Sequence, residues 1–244
     1  DPAAVQKKLE DEPDIKTVMF VHSETTSGLI NPLKEVAGIA KAAGKTVLVD
    51  TMSSFAAYET DMKAFGIDAL ASSANKCLEG LPGLAFVVAT KELLEGKSYS
   101  KSLCLDLCDQ YRYLYPDGKF RFTSPTTILL ALRRALDLYK LEGGLAARKA
   151  RYMANHETLM AEMHRLGITS IVPEQWQSYI ITTFDLGDIN FADMYARLKE
   201  HGYVIYPGKL TDKQTFRIGT IGDLYPKDYK GLCACLEEYL RSGK

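Results

Sequence analysis

Charge of one sign is the first thing missing. Thirty Lys and Arg face 31 Asp and Glu over 244 residues, a formal net charge of −1. No broad field therefore draws the chain toward nucleic acid or an anionic membrane, and neither is expected as a partner. A local cationic pocket is compatible with that balance. No apolar run approaches the roughly 20 residues that cross a bilayer, and the opening Asp1-Pro2-Ala3-Ala4 is no secretory signal; a cytoplasmic location is the expectation. Gly-x-Gly-x-x-Gly turns and P-loops are lacking as well, which argues against a nucleotide-binding doubly wound domain. Histidine is scarce: none of His22, His156, His164 and His201 falls into a zinc-ligand spacing with the five cysteines, so no metal is expected. Cys104 and Cys108 are one helical turn apart and Cys233 and Cys235 share another helical stretch; they read as reduced packing thiols.

What is present is alternation. The β-branched runs at residues 17–22 and 46–50 read as buried strands, and the amphipathic stretch from Pro32 to Ala43, stopped at Gly44, reads as the helix between them. Residues 69–72 and 84–89 read as two more strands. Strands separated by helices argue for an α/β fold with a mostly parallel sheet covered by helices on both faces. From Leu103 onward the pattern changes. Helices are expected near residues 103–115, 126–141, 145–166, 191–201 and 227–240, with strands near 168–172, 178–184, 203–206 and 215–219. The Gly143-Gly144 pair marks a hinge. Residues 1–140 are therefore expected to form a large domain and 141–244 a smaller α+β domain with an antiparallel sheet.

Asp50 closes the run Val47-Leu48-Val49-Asp50, and Lys76 follows Ala71-Ser72-Ser73-Ala74-Asn75. In open α/β sheets ligands collect at the carboxyl ends of strands, and Asp50 stands at such an end. An aldehyde cofactor needs an amine that loses its proton near neutral pH. It also needs a carboxylate at its pyridine nitrogen, because a protonated ring draws electrons from carbon. Lys76 and Asp50 supply that pair of groups, although a lone Asp and Lys are common in any soluble chain.

The surrounding motifs narrow the reading. His22-Ser23-Glu24-Thr25-Thr26-Ser27-Gly28, Asn31-Pro32, Val49-Asp50-Thr51-Met52-Ser53-Ser54, Ser73-Ala74-Asn75-Lys76-Cys77 and Gly80-Leu81-Pro82-Gly83, in that order and spacing, resemble the class V aminotransferases of fold-type I. Within that class they most resemble the enzymes that exchange the amino group of 2-aminoethylphosphonate with pyruvate. The resemblance runs over nearly the whole chain. It implies pyridoxal 5'-phosphate (PLP) as cofactor, small amine and oxoacid substrates, and phosphonoacetaldehyde and alanine as products. It implies a homodimer with a shared active site as well.

Residue by residue, the resemblance makes Lys76 the covalent anchor and proton shuttle and Asp50 the partner of the ring nitrogen. Thr25 would bond the cofactor's phenolic oxygen, Asn75 would lie near its phosphate, and Met52 would pack against its ring. Thr123 would reach the phosphate from the other subunit, and Arg217 would bind the substrate anion, since a guanidinium fork matches carboxylate or phosphonate oxygens. Plainer readings stand beside these: a turn or cap at Thr25, core packing at Met52, a helix cap at Thr123, a surface charge at Arg217. His22 and Glu24 have no assigned chemistry, and His22 reads as packed at a strand end.

The resemblance also implies a glycine-rich phosphate-binding turn and a ring-stacking aromatic residue upstream of the Thr25 motif. Neither has a candidate between Asp1 and Thr25. The expectation is a fragment of a longer polypeptide or a truncated relative, with uncovered apolar surface and weak PLP binding by itself. Alternatives are an alanine–glyoxylate or serine–pyruvate aminotransferase, or a non-catalytic fragment. A cysteine desulfurase is disfavoured because Cys77, directly after the lysine, is poorly placed as a mobile nucleophile.

Overall fold

The computed structural model describes residues 1–208, 210 and 212–242. Its first half is built on a four-stranded sheet. Helix α1 (Pro2–Asp11), which sequence patterning did not anticipate, opens with Asp1 accepting from the Ala3 amide at 3.0 Å and proline at its first position, both favourable at a helix start. Strand β1 (Thr17–Val21), the hairpin of β2 (Ser23–Glu24) and β3 (Leu29–Ile30), helix α2 (Leu33–Ala42) and strand β4 (Thr46–Asp50) follow. Leu33, Val36, Ala37 and Ala40 form the buried stripe of α2, and Val47 and Val49 the buried face of β4. These are the 3.6 and 2.0 periods that a helix lying on a sheet requires.

Helix α3 (Met62–Phe65), strands β5 (Ala69–Ser73) and β6 (Ala85–Ala89) and helix α4 (Lys91–Glu95) complete this layer. The strand order is β1-β4-β5-β6. β1 and β5 run parallel to β4, and β6 runs antiparallel to β5. The link from β5 to β6 is too short for the crossover that a parallel pair needs, which sets that direction. The expected mostly parallel sheet with helices and a smaller α+β part is what forms. Leu9, Leu33, Ala37, Ala40, Val47, Val49, Ile67 and Leu70 pack one core beneath it.

Helices α5 (Leu107–Asp117), α6 (Thr126–Glu142) and α7 (Gly144–Arg165) lead to the second sheet, with Gly143 and Gly144 in left-handed conformation between α6 and α7. That sheet holds β7 (Ile181–Asp185), β8 (Tyr206–Pro207) and β9 (Thr215–Gly219) in the antiparallel order β7-β9-β8. It is covered by α7, α8 (Phe191–Glu200) and α9 (Pro226–Arg241) around Leu159, Met163, Phe184, Met194, Phe216 and Leu236. The strand expected near 168–172 is reduced to one bridge, Ser170 to Phe184. Ile168 turns into the helical core instead, and Pro173 ends the pairing. The strand expected at 203–206 shortens likewise to Tyr206–Pro207. No helix among the described residues is long and apolar enough to cross a membrane.

Two contacts bring the sheets together. Gly28, at φ +82° in the β2–β3 hairpin, lies so close to β7 that a Cβ would stand 2.8 Å from the Ile181 carbonyl oxygen. Tyr58 stacks on Tyr179 at 4.0 Å between centroids, and its hydroxyl accepts from the Tyr179 amide at 2.9 Å. A third core of Ala56, Ala57, Cys77, Leu78, Tyr152 and Ile180 fills the seam between them.

Candidate active site

Lys76 sits on a tight turn just past β5. The turn is closed by Gly80 N–H to Ala74 C=O and Glu79 N–H to Lys76 C=O, both 2.8 Å. A Cβ on Gly80 would meet the Ala74 carbonyl oxygen at 2.9 Å, so the turn needs glycine there. The side chain of Lys76 is exposed and forms no ion pair among the described residues. A cavity lies beside it.

That cavity has a volume of about 440 Å³ and is lined by Thr25, Ser53, Lys76, Ile181, Tyr206 and Arg217, among others. Thr25 reaches it from the β2–β3 turn that Gly28 presses against β7. Arg217 reaches it from the middle of β9, opposite Thr183 and Tyr206. The guanidinium is held rather than free: Nε donates to the Pro207 carbonyl at 3.2 Å and Nη1 to the Thr25 carbonyl at 3.0 Å, with the Tyr206 ring 5.8 Å away. Arg217 is 7% exposed, and no carboxylate among the described residues pairs with it. A buried cation without an acidic partner is costly unless an anion arrives. The surface-charge reading of Arg217 therefore does not describe what forms.

Asp50 ends β4 on the opposite side of the strand from Val49, and its Oδ1 accepts from the Met52 amide at 2.8 Å. Met52 is 36% exposed, so it is not core. Neither residue lines the cavity. Asn75 faces a second, polar cavity of about 650 Å³ that Lys76 also lines, together with Glu79, Arg148 and Arg151. Thr123 is exposed and lines neither cavity. It does not cap α6, whose cap position is Pro125 with no side-chain bond.

Several residues of the site escaped sequence reasoning. Ser53, inside the quoted Asp50 motif, donates from Oγ to the Ser23 carbonyl at 2.8 Å and fixes the two motifs to each other. Tyr206 and Ile181 carried no signal. Cys77 is buried, and burial pushes its thiol up to about 12. A neutral, enclosed thiol is no nucleophile. Among the described residues no group of three or more His, Cys, Asp and Glu is arranged to hold a metal.

A family model described as aminotransferase class-V matches residues 1–218. A 2-aminoethylphosphonate–pyruvate transaminase of Phocaeicola vulgatus is 45% identical over 237 residues, covering 96% of this chain and 66% of the relative. One from Vibrio cholerae is 46% identical over 234 residues, 94% of this chain and 64% of the relative. The chain thus spans about two thirds of the length of the curated relatives it matches. Among solved structures, an alanine–glyoxylate aminotransferase from Nostoc superposes with a TM-score of 0.89 at 25% identity, over 98% of this chain and 65% of that one.

Proposed function

Since the chain belongs to the class V aminotransferases, we propose that it takes part in transamination of 2-aminoethylphosphonate with pyruvate, giving phosphonoacetaldehyde and alanine, with PLP as cofactor. One observation carries the reading: the amine of Lys76 and the buried guanidinium of Arg217, neither with an acidic partner among the described residues, line one cavity. Both substrates carry an anion at one end and a nitrogen or a carbonyl at the other, so a single cavity of this kind suits either. The names of the relatives, which state this reaction, support the substrate assignment.

Lys76, Thr25 and Ser53 fit the cofactor from the cavity wall, with Asp50 three residues before Ser53. Lys76 has no competing ion pair, Asp50 keeps Oδ2 free of partners among the described residues, and Thr25 and Ser53 add hydroxyls to the cavity wall. Bound there, PLP supplies an electrophilic aldehyde and a protonated ring that withdraws electrons from carbon. Lys76 would anchor it and then carry the proton at Nζ to and from the substrate carbon. Asp50 would hold a proton at the ring nitrogen. Arg217, already oriented by Thr25 and Pro207, would bind carboxylate or phosphonate without reorganising. Asn75 and Met52 belong to the same proposal at the phosphate and the ring face. So does a homodimer in which Thr123 serves the partner's site; its exposure away from both cavities supports that role. A division at residue 140 into a cofactor-binding part and a smaller part is supported by the left-handed Gly143-Gly144 link.

The test is alanine formation from pyruvate, followed by NMR with added PLP and either 2-aminoethylphosphonate or another amino donor. Preference for the phosphonate, lost in Lys76→Ala, is the expected result; a higher rate for alanine with glyoxylate would overturn the substrate assignment. Arg217→Lys, which keeps the charge but not the fork, is expected to lower kcat/KM between roughly 10- and 100-fold.

A further inference from the structure

Glu79 stands three residues after Lys76 with φ +58°, a left-handed conformation that side chains other than glycine rarely adopt. It closes the turn that presents the lysine, since its N–H donates to the Lys76 carbonyl. Its carboxylate is held by a set of side chains on α7. Oε1 accepts from Tyr152 Oη at 2.6 Å and from Arg151 Nη2 at 2.9 Å, and Oε2 lies 3.5 Å from Arg148 Nη2. Arg148 also donates from Nη1 to the Cys77 carbonyl, inside the same turn.

Two of these α7 residues, Arg151 and Tyr152, also reach the other half of the site. Arg151 donates from Nη1 to the Gly222 carbonyl, and Tyr152 Oη accepts from the Gly222 amide at 3.3 Å. Asn155, one turn further along, donates to the Leu224 carbonyl at 2.9 Å. Gly222 follows Arg217 by five residues, on the chain leaving β9. Glu142, at the end of α6, binds Arg148 at 2.6 Å and Arg151 at 2.8 Å, so two carboxylates balance two guanidiniums. Burial opposes the charge on Arg151, but its bonds to Glu142 and Glu79 more than offset that and raise its pKa.

We propose that Glu79 is a positioning residue for Lys76: through Arg148, Arg151 and Tyr152 it ties the lysine's turn to the helix that also holds the segment behind Arg217. The turn that carries Lys76 and the segment leaving β9 are then braced on one helix rather than independently. This rests on the reading of Lys76 as the reacting amine and Arg217 as the anion anchor. Glu79 touches neither the amine nor the cavity of Arg217, so its effect passes through backbone placement. Small displacements of a reacting group carry large rate penalties.

The test is borohydride fixation of PLP on the full chain, with the modified lysine identified and quantified by peptide mass spectrometry relative to the exposed Lys7. Thermal unfolding and steady-state kinetics are measured in parallel. Glu79→Gln removes the charge, and Tyr152→Phe removes a single hydroxyl while preserving shape if the first variant folds poorly. In the wild type the label falls on Lys76. In both variants the Lys76 to Lys7 ratio is expected to fall, on the order of tenfold for Glu79→Gln and less for Tyr152→Phe. The fall should appear in kcat more than in KM. Wild-type ratios in variants that merely melt earlier would make the cluster purely structural and overturn the proposal. Absence of label on Lys76 in the wild type would instead overturn the active-site reading beneath it.

Discussion

His22 is buried at the exit of β1, edge-on to Tyr58 at 5.3 Å, with Nδ1 lacking a partner among the described residues. Burial lowers its pKa from 6.5 to about 4. The unfolded chain binds that proton near the ordinary value and the folded chain only at lower pH. Its contribution is therefore fully present above 6.5 and is lost as the pH falls toward 4. His156, also lowered by burial, acts in the same direction. Urea titrations of the wild type and His22→Phe should show the wild type losing roughly 2 kcal/mol more than the variant between about pH 7 and about pH 5; parallel losses would mean that His22 takes up its proton without strain. Gly28 gives a second residue-level expectation. Gly28→Ala combines a positive φ with a clash against the Ile181 backbone, and a loss of about 2 kcal/mol or more in chemical denaturation is expected.

At the scale of elements, β4 and β9 coincide with the runs of β-branched and aromatic residues that announced them, and α2, α6, α8 and α9 agree to within a residue or two. Their burial is periodic, so pattern was enough. Leu159 on α7 is fully buried in the second core, and Leu159→Ala should lower stability by about 3 kcal/mol, read as a shift in the denaturation midpoint. Irregular stretches were less legible. Residues 168–172 have strand composition, but Ile168 is claimed by helix packing, a tertiary demand with no local signature. The site divides in the same way. Lys76, Thr25 and Arg217 stood inside recognisable motifs and meet in one cavity. Glu79, Glu142, Arg148 and Arg151 drew no reading from the sequence, because contacts between residues 71 or 72 positions apart leave no trace in local spacing.

For the molecule as a whole, exposure is uneven. Leu103, Leu105, Tyr115, Phe122, Leu130 and Leu141 all project apolar surface from the stretch between β6 and the α6–α7 link. β6 is a sheet edge with Val87 and Val88 exposed. Such surface and unpaired strand edges favour association. Sedimentation of the chain should therefore give a mass above 27.1 kDa that rises with concentration. Replacing Phe120 and Phe122 by Asp should shift it toward the monomer; a wild-type mass of one chain at all concentrations would place the self-association idea elsewhere.

The tie between the turn of Lys76 and Gly222 also has a meaning in time. Gly222 is made 146 residues after Lys76, an interval of about 7 to 30 seconds at ordinary synthesis rates. The amine leaves the ribosome long before the helix and loop that brace it exist. A nascent chain would thus carry the Lys76 turn unbraced, and its contacts with α7 and Gly222 would form only when the second sheet has closed.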